Sequence, residues 1–132
     1  MILLDTHILL WWIGGDAGRL SIAATKAIET AHSEGTILVS SISAWEIATL
    51  VARGRIGLLT DITSWLDQVG RLAGVEFVSL DTDILLKSTQ LPGEFHKDPA
   101  DRFIVATSQK LAVPLVTADR KILDYTHVKT IW

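Results

Sequence analysis

The sequence predicts a three-layer α/β/α sandwich built around a mostly parallel five-stranded sheet. Five short apolar runs, bounded by glycine, proline and polar residues, are typical of buried strands. Segments of about ten residues with apolar side chains at helical spacing separate these runs, which favours alternation of strands and helices. Acidic residues directly follow two of the runs, as expected where strands end at one edge of a parallel sheet.

The first part of the chain predicts strands at residues 2–5 and 37–40 and helices at residues 7–13 and 22–34. Gly14 and Gly15 end the first helix, while Ser21 caps the second and Gly35 ends it. We expect Ser43 to cap a third, largely buried helix that contains AWEIATLVARG.

The second part predicts helices at residues 62–72, 82–91 and 99–112, a helical turn in DRKILDY, and strands at residues 75–80, 114–117 and 128–132. Pro92 and Gly93 break the second of these helices. Asp98 suits the N-cap of the next helix, because Pro99 then occupies the first helical position.

Length and composition limit the class of protein. A chain of 132 residues is the size of one domain, so we expect a single domain at 1–132. Cysteine is absent, which excludes disulfides and thiolate metal sites and agrees with a cytoplasmic location. The apolar opening is too short to span a membrane and is interrupted by Asp5 and His7. Five tryptophans hint at a self-association face, and hence a homodimer.

Four acids are expected to meet in one pocket. Asp5 and Asp119 follow two predicted strands, and ligand sites of open parallel sheets lie outside the carboxyl ends of their strands. Glu46 is the exceptional acid of an otherwise apolar helix that follows the second strand, and Asp101 lies in the first turn of the helix capped by Asp98. We therefore predict that these four acids are both the catalytic residues and the metal ligands.

A cluster of carboxylates requires cations, because like charges a few ångströms apart repel and raise one another's pKa. Ligands that are all oxygen favour Mg²⁺, with Mn²⁺ possible, over Zn²⁺. Such ions activate water and stabilise the charge on a phosphodiester, which indicates metal-assisted phosphodiester hydrolysis. The net charge of −3 argues against binding of nucleic acid by bulk positive charge. Neutralised acids would nevertheless leave a slightly basic chain, so RNA is an allowed substrate.

The segments LLDTH, SISAWEI, DPADRFIVAT and LVTAD together resemble the PIN-domain nucleases, and the layout of the whole chain is most similar to the VapC-like toxins of type II toxin–antitoxin pairs. The resemblance covers essentially all 132 residues, and the four acids occur in the same order as the acids of the family's site. It implies a Mg²⁺-dependent, single-strand-directed endoribonuclease, usually dimeric, that is inhibited by a small antitoxin protein. The fourth position varies most in the family, so Asp119 is the least secure ligand.

Structural roles compete with the catalytic ones. Asp101 and Asp119 could serve only the helix N-termini, and Glu46 could form a buried ion pair with Arg102. For Asp98, the N-cap role is favoured over metal binding. Threonines next to the acids could position an acid or water, or could be caps; these are Thr6 and Thr117.

Rings and basic side chains receive structural interpretations. We expect His7 and His96 to have packing or loop roles rather than to form a metal pair or a general base. Trp11 and Trp12 are expected in the core or at a dimer contact rather than as a platform for base stacking. A solvated face is the default role of four basic residues that could also meet RNA: Arg53, Arg55, Lys97 and Arg120.

Two other functions remain open. A PIN-type nuclease that processes RNA without acting as a toxin would have the same site, and growth arrest on induction or a neighbouring antitoxin frame would separate the two. A receiver-like phosphoacceptor module is also a small α/β domain with acids at strand ends. That module requires an acidic pair after the first strand and a lysine after the last, whereas Asp5 stands alone here.

Overall fold

The computed structural model describes the whole chain, Met1–Trp132, and has a five-stranded parallel sheet at its centre. The strands are β1 (Ile2–Leu4), β2 (Ile37–Ser40), β3 (Val75–Val78), β4 (Leu115–Val116) and β5 (Thr130–Ile131). They lie in the order β3-β2-β1-β4-β5, and all four pairings are parallel. The predicted mostly parallel sheet is therefore confirmed and is parallel throughout.

Seven helices cover the two faces of the sheet. They are α1 (Thr6–Ile13), α2 (Ile22–Glu34), α3 (Ser41–Ala52), α4 (Ile62–Gly70), α5 (Thr82–Ser88), α6 (Pro99–Leu111) and α7 (Arg120–Leu123), with a short 3₁₀ helix at Ala17–Arg19. None of these helices combines the length and the apolarity that crossing a membrane requires.

Successive residues of the central strand belong to different cores, because side chains of a strand point alternately to opposite faces. Leu4 belongs to the core formed with α1, α2 and α4, and Leu3 belongs to the core formed with α5, α6 and α7. Both leucines are fully buried, and each contributes about 1.5–3 kcal/mol through the burial of its side chain. The sheet thus separates two apolar layers, as the predicted three-layer sandwich requires.

Several element ends differ from the prediction. Helix α3 begins after Ser40, whose hydroxyl accepts a hydrogen bond from the Ile42 N–H, so the predicted cap at Ser43 is wrong. Ser43 is instead a buried residue of the first turn of α3. Helices α4 and α5 end earlier than predicted, at Gly70 and Ser88, because turns follow both. The 3₁₀ helix was not predicted, since a single turn has no apolar periodicity.

Strand β1 lies at the point where the order of the strands reverses. The chain passes from β1 to β2 on one side, and β4 later pairs with β1 on the other side. Helix α1 follows β1 after Asp5, and α7 follows β4 through residues 117–119. The two strand-end acids therefore leave neighbouring strands at the same edge of the sheet, which is where open parallel sheets bind ligands.

Candidate active site

A cavity of about 350 Å³ lies at the carboxyl edge of the sheet, and we call it the acid pocket. Its lining residues are Asp5, Thr6, His7, Trp11, Glu46, Asp98, Asp101, Ala118 and Asp119. The structure thus brings together all four predicted acids and adds Asp98. A larger cavity of about 590 Å³ lies against α2 and the start of β1, but it is mostly apolar and contains no acid cluster.

Asp5 is fixed by hydrogen bonds at both of its carboxylate oxygens. Oδ1 accepts from the Thr6 N–H at 2.8 Å, which caps α1, and Oδ2 accepts from the Thr117 hydroxyl at 2.7 Å. Only 7% of Asp5 is exposed, and burial raises the pKa of this carboxyl against the opposing effect of these hydrogen bonds. Asp5 is therefore a rigidly held acid.

Glu46 is held by a chain of hydroxyl groups. Thr6 Oγ1 donates to Glu46 Oε1 at 2.6 Å, and because its one proton is used there, the Ser43 hydroxyl donates to Thr6 at 2.8 Å. Burial raises the pKa of Glu46, and the Thr6 hydrogen bond opposes that rise. The alternative ion pair with Arg102 is not formed.

Arg102 donates instead to backbone carbonyls of the segment before α6, at Ser88, Phe95 and His96. It therefore fastens the loop that leads into the pocket.

Asp98 caps α6 as predicted, since its Oδ1 accepts from the Asp101 N–H at 3.2 Å. Asp101 follows in the first turn, where burial and then the charges of the neighbouring acids raise its pKa to about 7. His96 Nε2 lies 3.0 Å from Asp101 Oδ2, but the ring is not oriented for a hydrogen bond and this buried nitrogen has no other partner. The loop role expected for His96 therefore includes contact with a pocket acid.

Asp119 combines a cap with a place in the pocket. Its Oδ1 accepts from the Lys121 N–H at 2.9 Å at the start of α7, while its own N–H donates to Thr117 Oγ1 at 3.1 Å. The Thr117 hydroxyl thereby links Asp119 to Asp5. Capping occupies one carboxylate oxygen of Asp119 and leaves the other without a hydrogen bond within the chain.

The chemistry of the donor set fits a hard divalent cation. The four acids supply only oxygen, and none of them forms an ion pair with a lysine or arginine. No three of the His, Asp and Glu side chains converge on one point at ligand distance. A cation held here therefore needs bridging waters or small side-chain rotations, and Mg²⁺ typically keeps several of its waters.

Residues that the sequence reasoning did not assign to the site also lie in it. Ser43 supports Thr6, and its signal is its position three residues before Glu46 on the same helix. His7 and Trp11 line the acid pocket, four residues apart on α1. Trp11 and Trp12 are both half-buried and pack against the core, as expected. Trp11 also lines the acid pocket, which was not predicted, and Trp12 contacts His32. A dimer contact of Trp11 or Trp12 stays a prediction.

Comparison with known families and curated proteins gives one consistent result. Residues 2–128 match the PIN domain. Ribonuclease VapC22 of Mycobacterium tuberculosis is 37% identical over 133 residues, a match that covers 99% of this chain and 98% of that protein.

Solved structures share the fold. The structure of VapBC2 from Rickettsia felis bound to a DNA fragment from its promoter matches with a TM-score of 0.73 at 19% identity, and covers 98% of this chain and 97% of that chain. DNA-bound VapBC from Salmonella typhimurium matches with a TM-score of 0.68 at 17% identity, over 98% and 95% of the two chains.

Proposed function

The chain belongs to the PIN-domain family, and on that premise we propose that it is a divalent-metal-dependent endoribonuclease, with residues 1–132 acting as one nuclease domain and as the toxin of a toxin–antitoxin pair. One observation supports this most strongly: Asp5, Glu46, Asp101 and Asp119 line one pocket without a lysine or arginine partner. A named ribonuclease that is 37% identical over nearly the whole chain points to the same activity. The receiver-like alternative has no support, because such a module needs a lysine beside its acids and no lysine lines the acid pocket.

We propose Mg²⁺ as the physiological ion, with Mn²⁺ as a substitute, held by the four acids. A bound divalent ion would lower the pKa of a water molecule and offset the charge of the scissile phosphate. The protein's own contribution is positional. Thr6 and Thr117 hold Glu46 and Asp5 in place. Burial and the neighbouring acids raise the pKa of Asp101, which agrees with a site that needs a counter-cation.

A small antitoxin is the proposed partner. A cavity of about 440 Å³ adjoins the acid pocket, shares Glu46 and Asp98 with it, and is lined by apolar side chains that include Ile42, Trp45 and Phe103. Trp45 is 63% exposed, so a segment with apolar and basic side chains would cover it and satisfy the acids together.

A homodimer is proposed from a second apolar surface, because Leu85 and Leu86 of α5 are 40% and 56% exposed. The absence of cysteine agrees with a cytoplasmic location.

The decisive experiment is incubation of the purified protein with a panel of total RNAs, with Mg²⁺, with Mn²⁺ and with excess EDTA. We expect cleavage with either ion and none with EDTA. Asp5→Asn and Asp101→Asn should abolish cleavage without unfolding the protein, because each removes a charge from a repulsive cluster. Asp119→Asn should reduce cleavage less.

Asp67→Asn is the matched control, because Asp67 is an exposed acid of α4 outside the pocket, and this variant should retain full activity. Cleavage that persists in EDTA, or full activity of Asp5→Asn, would contradict the proposal. Growth arrest on induction, relieved by the neighbouring small reading frame, would distinguish a toxin from a processing nuclease.

A further inference from the structure

Two rings line one side of the acid pocket and an arginine lies over one of them, and we call His7, Trp11 and Arg19 the aromatic rim. His7 and Trp11 line the pocket, and their ring centroids are 6.3 Å apart. The Arg19 guanidinium carbon lies 4.5 Å from the centroid of the Trp11 ring. Trp132 contacts the same indole, with a centroid distance of 6.2 Å, and helps to fix its orientation.

The charge of Arg19 has no carboxylate partner. No carboxylate lies within 4.0 Å of its guanidinium, although the Trp11 ring over which it lies lines the acid pocket. Arg19 is exposed, and its position depends on the indole over which it lies. A guanidinium that lies over a ring and forms no ion pair with a carboxylate has N–H groups available for a phosphate.

An RNA strand needs such a contact here. Acids of the pocket that a bound ion does not neutralise repel the phosphates that flank the scissile one, and a nearby cation offsets this repulsion. Base stacking on aromatic side chains is tolerant of sequence and requires an unpaired base. His7 is exposed and Trp11 half-buried, so both rings present surface at the mouth of the pocket.

We propose that the aromatic rim binds the nucleotide next to the scissile phosphate, with Arg19 on its phosphate and His7 and Trp11 against its unpaired base. The proposal rests on the proposed ribonuclease function and adds residues that determine substrate position. It would account for the single-strand preference that the resemblance implies, because a paired base is not free to stack on the rim.

The test measures binding, so that it does not depend on catalysis. A fluorescein-labelled, mixed-sequence single-stranded RNA of about 12 nucleotides is titrated with the Asp5→Asn protein, and its anisotropy is followed at several salt concentrations. When Arg19→Ala is introduced into the Asp5→Asn protein, binding should weaken about five- to tenfold. The slope of log affinity against log salt concentration should fall by about 0.7, as expected for the loss of one phosphate contact on a single strand. Arg19→Lys should retain the slope and recover part of the affinity.

Arg71→Ala is the matched control, since Arg71 is an exposed arginine after α4, near the amino end of β3 and outside the acid pocket. Its affinity and slope should be unchanged. His7→Ala should weaken binding severalfold, and His7→Phe should restore it, because stacking needs an aromatic ring but not specifically an imidazole. The duplex of the same sequence should bind more weakly than the single strand.

Unchanged binding by the Arg19→Ala protein, or an equal loss in the Arg71→Ala protein, would overturn the phosphate contact. Equal affinities of His7→Ala and His7→Phe, or of duplex and single strand, would overturn the stacking contact. If the unsubstituted protein cleaves RNA and these variants bind normally, the rim proposal alone fails. Absence of RNA cleavage by the unsubstituted protein would instead contradict the proposed function.

Discussion

At the scale of single residues, Thr117 explains how an acid can be buried at the end of β1. Its hydroxyl donates to Asp5 Oδ2 and accepts from the Asp119 N–H, so one side chain connects the ends of two neighbouring strands. Thr117 has no exposed surface, and no water replaces this hydrogen bond without a rearrangement of the site.

Thr117→Val should lower the free energy of unfolding by about 1–3 kcal/mol, because it leaves a buried carboxylate oxygen without its donor at nearly unchanged volume. RNA cleavage should fall as well, since Asp5 loses its orientation. Urea unfolding and a cleavage assay measure the two effects. Thr117→Ser keeps the hydroxyl and should recover most of both; if valine and serine behave alike, the hydroxyl has no such role.

The sequence predicted the acids better than their supports. Asp5 interrupts the most apolar stretch of the chain and Asp119 follows an apolar run that predicts a strand, so both positions follow from local pattern. The roles of Thr6 and Thr117 stayed undecided, because hydrogen bonds across 40 and 112 residues depend on how distant strands and helices pack. The place of Trp11 in the wall of the acid pocket could not be predicted either, because apolar periodicity does not distinguish a core position from the wall of a cavity.

At the scale of elements, α6 shows how a helix start places a functional acid. Asp98 caps the helix, Pro99 supplies a preset backbone angle, and Asp101 follows within the first turn. The positive end of the helix favours acids at these positions. The same local pattern therefore predicts the helix and delivers Asp101 to the acid pocket.

Asp98→Ala should cost about 1 kcal/mol of stability through loss of the cap, while Asp98→Asn should retain most of it. Denaturant midpoints of the two variants measure the difference. We expect RNA cleavage by both variants to remain substantial, because the cap is the assigned role of Asp98. A large loss of activity at an unchanged midpoint would show that Asp98 acts in the reaction.

Helix α3 marks the limit of element prediction. The segment Ser40-Ser41-Ile42-Ser43 offers three hydroxyl residues, each suited to an N-cap, and local preference does not rank them. Packing decides the outcome, because Ser43 is needed inside the helix to support Thr6. The strands and the order of the helices were predictable, whereas this boundary depended on a contact with α1.

At the scale of the whole molecule, the gathered acids make stability depend on pH. The pKa of Asp101 is about 7 in the folded protein against 3.8 for an ordinary aspartate, and burial also raises the pKa of Asp5 and Glu46. Between pH 3.8 and about 7, the two pKa values of Asp101, the folded state binds more protons than the unfolded state. The free energy of unfolding therefore falls as pH rises through about 7.

In EDTA, the melting temperature should therefore be lower at pH 8 than at pH 5.5. Added Mg²⁺ should raise it more at pH 8, because the ion binds the ionised acids of the folded state and does not compete with protons there. Calorimetry with the Asp101→Asn variant is the control, and that variant should lose much of the pH dependence. An equal effect of Mg²⁺ at both pH values would contradict this account.

Assembly of the pocket from positions 5, 46, 101 and 119 has a consequence for synthesis on the ribosome. Strand β1 emerges first, but its neighbour β4 and the acid that follows it emerge only after β2 and β3, and β1 lies between β2 and β4. An incomplete nascent chain thus carries the first acid without its Thr117 partner or the fourth acid. A nuclease built in this order cannot bring its four acids together until β4 has left the ribosome and docked beside β1.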